Sequence, residues 1–427
     1  MKFTPRTALA VVVANMIGAG VFTSLGFQLL EFRSGFVILA LWAVGGVIAL
    51  CGALSYAELG AALPRSGGEY NFLSRIYHPS IGFVAGWVSA TIGFAAPTAL
   101  IALTFGAYLQ AALPSVSAEW LAAALIALLT LAHSSTRTMS ARTQTWFTGV
   151  KVALILVFCV SALQVAPQWQ AISFAPNAAD LEQLTGGAFA VALIYVAYAY
   201  TGWNAATYLS GEIENPEQSL SKVLLFGTLI VTLLYLLLNA TFLLVAPAEA
   251  MAGHAEIGHI AAAHAFGSGT GNVMGVMLAL LFISTASAMI MAGPRTLQCL
   301  GEDFAVFSML ARKNAHGVPT VAILVQSALS LVFVFTATLE QVLVFAGFTL
   351  GVSTFLTVLG VLVLRVREGA LVRPYRVPWY PLPPILFLLL TGWTLVYIAF
   401  ERPSEALWGG AIIALGGLLY VFSARSV

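Results

Sequence analysis

The residues with chemical potential in this chain are few, and the most informative are glycines and one lysine set inside apolar sequence. Ile17-Gly18-Ala19-Gly20 and Ala199-Tyr200-Thr201-Gly202-Trp203-Asn204 each interrupt a long apolar run. Glycine weakens a helix and lets a second backbone approach closely. In lipid, a broken helix leaves backbone N–H and C=O groups that must find partners. The N–H groups near Gly18, Ala19 and Gly20, at the positive end of a half-helix, suit a carboxylate. The carbonyls around Ile17 and those of Tyr198, Ala199, Tyr200 and Thr201 suit an ammonium. An α-amino acid supplies both groups, whereas a small amine or carboxylate would use half the site. The competing explanation of the glycines is close helix packing through small residues.

Lys151 lies within Trp146-Phe147-Thr148-Gly149-Val150-Lys151-Val152-Ala153-Leu154, roughly 13 Å along a helix from Arg142 at ~1.5 Å per residue. An ammonium at that depth costs ~3 kcal/mol on insertion scales unless it is solvated or paired. Two readings stand: a lysine snorkelling to the interface, or a fixed cation facing the bundle. Tyr235 and Asn239 are four residues apart and share a helix face. His254, His259 and His264 recur every five residues, a spacing that turns them apart on a helix, so no metal site is expected. Cys51, Cys159 and Cys299 are odd in number and show no paired spacing, which gives no disulfide framework. Without a clustered nucleophile, acid pair or metal set, neither enzymatic chemistry nor a cofactor is expected.

The elements that position these residues follow from composition. Of 427 residues, 60% are hydrophobic and 8% charged, which excludes a water-soluble enzyme, a disordered chain and a nucleic-acid binder. The 18 basic and 17 acidic residues nearly cancel, leaving no bulk attraction for nucleic acid. The apolar sequence divides into about twelve blocks, each near the ~20 residues that cross a bilayer. They run over 7–30, 35–63, 82–112, 119–135, 143–165, 186–210, 220–246, 271–300, 318–337, 340–365, 383–400 and 406–424. The fold class is therefore all-α integral membrane, with twelve transmembrane helices and the lipid bilayer as solvent. The first block continues past Gly20 without a cleavage site, so it is not a signal peptide. With a cytoplasmic N-terminus, fifteen basic residues fall inside, Arg33 and Arg402 fall outside, and Lys151 stays within a helix. That bias describes a plasma-membrane protein with both ends in the cytoplasm. The interruptions occupy matching places in two five-helix halves, residues 1–165 and 186–365, followed by two accessory helices over 383–424. An inverted repeat with broken helices at matching positions places a substrate site at the bilayer midplane.

Several stretches carry a family likeness. They are Ile17-Gly18-Ala19-Gly20-Val21-Phe22, Cys51-Gly52-Ala53-Leu54-Ser55-Tyr56-Ala57-Glu58-Leu59-Gly60, Ser66-Gly67-Gly68-Glu69-Tyr70, Tyr200-Thr201-Gly202-Trp203-Asn204 and Glu212-Ile213-Glu214-Asn215-Pro216. Arg295-Thr296-Leu297, Val318-Pro319 and Arg373-Pro374-Tyr375-Arg376-Val377-Pro378 follow in order. The chain resembles permeases of the amino acid-polyamine-organocation superfamily, with the L-type amino acid transporter branch nearest. The resemblance implies a leucine-transporter-type fold working by alternating access, with substrate held between the first and sixth helices.

It also implies residue roles. A helix-5 lysine stands in sodium-independent relatives where sodium-coupled ones bind an ion, which is the place of Lys151; Ser284, Thr285 and Ser287 would be its hydroxyl neighbours. Lys151 then makes sodium coupling unexpected and leaves open proton symport, exchange and facilitated diffusion. Tyr235 would lie near the substrate carboxylate, Tyr198 would close over the substrate, and Trp203 would support the bend. Thr201 takes a place where relatives carry glycine or an acid, so the substrate expected is a neutral, small to medium L-amino acid. Cationic amino acids or polyamines, and a sensor, are the alternatives. A sensor would carry a long signalling extension, whereas this chain ends a few residues beyond its last apolar block. Animal relatives join a glycoprotein through a cysteine between the third and fourth helices; the segment 113–120 has none, so no covalent partner is expected and a stand-alone prokaryotic permease is. Glu58 and Glu69 read as gate or loop contacts, and Arg295 as a candidate partner for Glu212.

Overall fold

A computed structural model of the chain describes residues 4–65, 67–112, 115–135, 141–315 and 317–424. Lys2, Ser66, Arg137 and Arg425 lie outside the described residues, as do the side chains of Arg142, Glu212 and Cys299. In chain order the helices are α1 (Pro5–Met16), α2 (Gly20–Glu31), α3 (Gly35–Ala62), α4 (Glu69–Ile76), α5 (Pro79–Val88) and α6 (Ala95–Ala112). A π-helical turn over Ser89–Gly93 joins the last two. Next come α7 (Ala118–Ser135), α8 (Ala141–Val165), α9 (Ala178–Thr185) and α10 (Gly187–Ala199), then a 3₁₀ segment over Ala205–Glu212. The remainder is α11 (Pro216–Val245), α12 (Ala248–Met251), α13 (Ile257–Phe266), α14 (Ser268–Asp303), a 3₁₀ segment over Ala305–Ala311, α15 (Thr320–Thr336), α16 (Leu339–Arg367), α17 (Leu382–Glu401) and α18 (Pro403–Ala424).

The helix starts are written in local sequence. Pro5, Pro79, Pro216 and Pro403 open helices at a position where a missing N–H costs nothing. Ser34 Oγ accepts from Val37 N at 3.3 Å to cap α3. Asn177 with Asp180, and Thr338 with Gln341, form reciprocal capping boxes at α9 and α16.

Among the described residues, nine helical stretches are long and apolar enough to cross a membrane. Of the twelve expected blocks, those holding α7, α10 and α15 are shorter. Helix α10 follows α9 at a bend of 69°, and the pair counts as a tenth candidate span. The connection between α11 and α14, which falls between two of the apolar blocks, contains α12 and α13. Large apolar side chains such as Leu131, Val157, Leu233, Leu389 and Phe400 face outward from the bundle, as a protein solvated by lipid requires. Two groups of helices pack internally: α1, α3, α10 and α11 in one, α6, α7, α14 and α15 in the other. Helix α16 touches both α10 and α6 and so bridges them.

Candidate functional site

The break in the first span begins at Ile17, whose ψ of 83° leaves the helical region. Gly18 N donates to Met16 O at 2.8 Å, a tight turn, before α2 starts at Gly20. Among the described residues, no acceptor takes the N–H groups of Ala19, Gly20 and Val21. On the other strand of the site, α10 ends at Ala199 and the chain unwinds through residues 200–204. Gly202 adopts φ +105°, a conformation that favours glycine, and a Cβ there would sit 2.8 Å from the Asn15 backbone carbon.

The two breaks touch. A Cβ on Gly20 would lie 2.6 Å from the Ala199 Cα, so only a glycine lets the backbones meet. Tyr235, fully buried on α11, holds both ends: its hydroxyl lies 2.5 Å from Met16 O and 3.0 Å from Ala199 O. One phenolic proton serves two carbonyls, so the hydroxyl ties the ends of α1 and α10 together. Of the carbonyls expected to meet an ammonium, Ala199 O is thus occupied by Tyr235 and Tyr198 O by Thr201 N at 2.9 Å. Those of Ile17, Tyr200 and Thr201 take no donor among the described residues.

A cavity of about 720 Å³ opens beside this junction. Gly18, Ala19, Gly20, Tyr198, Ala199, Tyr200, Thr201 and Trp203 line it, together with Thr285, Phe94 and Ile101. The Tyr198 ring is buried, and its hydroxyl has no partner among the described residues. Thr201 Oγ1 donates back to Ala197 O at 3.3 Å, which turns its polar atom to its own helix. Trp203 packs edge-on against Tyr56, with centroids 4.7 Å apart, and lies over Gly52. Ile17 and Tyr235 adjoin the junction without lining the cavity. The cavity reaches the surface where Arg65, Arg295, Glu302 and Asp303 line it. At the opposite end Tyr108 Oη donates to Phe22 O at 3.2 Å and accepts from Gly258 N at 2.8 Å. Gly253 N donates to Gly26 O at 2.9 Å, which seals α2 against the connection that carries α12 and α13.

Lys151 is buried on α8, and its ammonium donates to Thr285 Oγ1 on α14. The Thr285 methyl lies 4.0 Å from where a Cβ of Gly18 would stand, so one residue links the lysine to the first break. Ser284 Oγ is buried with no partner among the described residues, and Ser287 Oγ pairs with His133 Nε2 at 2.8 Å. The structure thus joins Thr285 to Lys151 and takes Ser287 to a different neighbour.

Two carboxylates that sequence reasoning assigned to gate or loop contacts are centres of buried networks. Glu69 accepts from Tyr56 Oη at 2.9 Å, from Asn204 Nδ2 at 2.8 Å and from Tyr208 Oη. Glu58 accepts from Arg365 Nε at 2.8 Å and Nη2 at 2.5 Å, and from Val377 N at 2.7 Å, with Arg373 Nε 3.4 Å away. Burial, then the Glu58 charge, push the Tyr375 hydroxyl in the same connection up to about 12. The available signal for Glu69 was Gly67-Gly68 before it: Gly68 has φ +54°, and the Tyr208 ring lies against it.

Residues 3–422 match the family model described as amino acid permease. The "b(0,+)-type amino acid transporter 1" of Mus musculus is 26% identical over 97% of this chain and 86% of its own length. The "Large neutral amino acids transporter small subunit 2" of Rattus norvegicus is 28% identical over 97% of this chain and 79% of its own length. Its Homo sapiens counterpart is 28% identical over 97% and 78%.

Proposed function

Since the chain belongs to the amino acid permease family, we propose that it carries neutral, small to medium L-amino acids across the cytoplasmic membrane by alternating access, without sodium. It is a multi-pass membrane protein and an amino acid transporter, not an enzyme. The observation that carries the finer reading is the junction at Gly20 and Ala199. There, the free N–H groups of Ala19, Gly20 and Val21 and the free carbonyls of Tyr200 and Thr201 border one cavity. A carboxylate and an ammonium on one carbon fit donors and acceptors that lipid cannot satisfy. The hydroxyl of Tyr198, without a partner among the described residues, leaves its ring available to cover the ligand.

Neutral substrates are supported by Thr201, which presents no charge, and by the name of the large-neutral relatives. Glu69 favours a second, cationic reading, because it is a carboxylate lining the cavity. Its oxygens already accept three hydrogen bonds, so a cationic side chain would compete with an existing network. Sodium independence rests on Lys151, whose ammonium reaches from α8 to Thr285 on α14. The rest of the reading is a twelve-helix chain with inverted halves over 1–165 and 186–365, accessory helices over 383–424, both termini cytoplasmic and no covalent partner. Exchange and proton symport are the two energetic modes it allows. Orientation is supported by the distribution of basic residues, fifteen on one side against Arg33 and Arg402 on the other.

Counterflow in sealed proteoliposomes tests this directly, with labelled alanine, leucine and arginine, each with and without sodium and a pH gradient. Alanine or leucine flux indifferent to sodium is expected. Arginine preferred over both would defeat the neutral reading, and sodium-driven accumulation would defeat the role given to Lys151. A Lys151→Ala variant should lose most transport; normal flux would return that residue to a snorkelling lysine.

A further inference from the structure

Glu69 stands at the first position of α4 and is only 3% exposed. Among the described residues no cation pairs with it. Its three partners are neutral donors from three other elements: Tyr56 on α3, Asn204 in the unwound segment of the sixth span, and Tyr208 in the 3₁₀ segment that follows. Burying an ionised group with neutral donors alone is costly, and the N-terminus of α4 offsets only part of that cost. Such a network is retained where its geometry matters.

The geometry fixes one amide. Asn204 turns its Nδ2 to Glu69, whose Oε1 accepts from it at 2.8 Å. Its Oδ1 is thereby directed away from Glu69, and it takes no donor among the described residues, while Asn204 itself lines the cavity. We propose that Glu69 is a positioning residue: it holds the Asn204 amide so that its oxygen accepts a hydrogen bond from the substrate ammonium, beside the free carbonyls of Tyr200 and Thr201. This rests on the amino acid site proposed above and assigns that site a side-chain acceptor. Tyr208 fixes the same carboxylate from the other oxygen, and its ring against Gly68 keeps the carboxylate in register.

The test compares Glu69→Gln, Tyr56→Phe and the exchanged pair Glu69→Gln with Asn204→Asp. Equilibrium binding of labelled alanine and leucine to purified protein gives Kd, and proteoliposome uptake gives KM and the maximal rate. The side chain introduced by Glu69→Gln can donate as well as accept, so it can capture the Asn204 oxygen and flip the amide. Kd and KM should then rise about tenfold, the size of one charge-assisted hydrogen bond, with the maximal rate within about threefold. In the exchanged pair the introduced glutamine donates to the introduced aspartate, whose second oxygen again faces the cavity, and most of the affinity should return. Tyr56→Phe removes one donor from the oxygen that also accepts from Asn204 but leaves the Asn204–Glu69 bond in place, so Kd should rise by less than in Glu69→Gln, with a lower melting temperature. Unchanged Kd in Glu69→Gln, or no recovery in the exchanged pair, overturns the inference. Binding without flux in the unaltered protein would instead defeat the transport reading, and the Kd comparison would still decide the role of Glu69.

Discussion

Tyr235 shows how much one hydroxyl can organise. It is fully buried, away from the cavity, yet its oxygen reaches the last carbonyls of both α1 and α10. These are carbonyls that a helix end leaves without an intrahelical donor. Removing the hydroxyl leaves Ala199 O without a donor and Met16 O with the Gly18 N–H alone. Tyr235→Phe should therefore cost about 1–2 kcal/mol of stability, read as a lower melting temperature in detergent. Transport should fall more steeply than stability, because the two breaks lose their common register. A variant that melts early but transports at the normal maximal rate would confine Tyr235 to packing. Sequence had placed this residue on a face with Asn239, and Asn239 Nδ2 does reach back to Tyr235 O at 2.8 Å. The hydroxyl's task was not legible, because its acceptors come from segments 219 and 36 residues away in the chain.

Among the elements, the broken spans were the most legible, for a physical reason. A glycine pair inside an apolar run has few explanations, and the structure adds the specific one: Gly20 stands where any Cβ would strike the Ala199 backbone. Gly20→Ala should accordingly separate the two spans, cut uptake by at least about tenfold and destabilise by ~1–3 kcal/mol through overpacking. Gly149 on α8 provides the control, since nothing lies within 4 Å of its would-be Cβ. Gly149→Ala should keep full transport and gain slightly in stability from helix propensity. Equal losses in both variants would mean that glycine serves helix flexibility in general and not the close approach. Other elements could not be read from composition. The helices α12 and α13 are too short to give an apolar period, and the bend between α9 and α10 turns on Gly186, whose backbone is extended. The network at Glu69 was invisible because its donors Asn204 and Tyr208 are 135 and 139 residues distant. A motif such as Gly67-Gly68-Glu69-Tyr70 marks a sharp turn but not its partners.

At the scale of the whole molecule, the cavity has a mouth flanked by Arg65, Arg295, Glu302 and Asp303, and a seal of Tyr108, Gly258, Gly253 and Gly26 at the other end. In the orientation proposed above, with both termini cytoplasmic, the mouth faces the cytoplasm. The alternating access proposed above needs that seal to open while the mouth closes, and among the described residues the seal rests on few bonds. Tyr108 Oη joins α2, α6 and α13 through one donated and one accepted hydrogen bond. In a variant without the three native cysteines, Ala288→Cys would place a thiol on the cavity wall. A membrane-impermeant maleimide should modify it rapidly in inside-out vesicles and slowly in right-side-out ones, and substrate should slow both. Adding Tyr108→Phe weakens the seal by about 1 kcal/mol, a several-fold shift in a two-state equilibrium. Labelling from the outer face should then rise several-fold while labelling from the inner face falls. Faster modification from the outside in the unaltered seal would reverse the orientation. Indifference to Tyr108→Phe would move the outer gate elsewhere, to the backbone contact of Gly26 with Gly253.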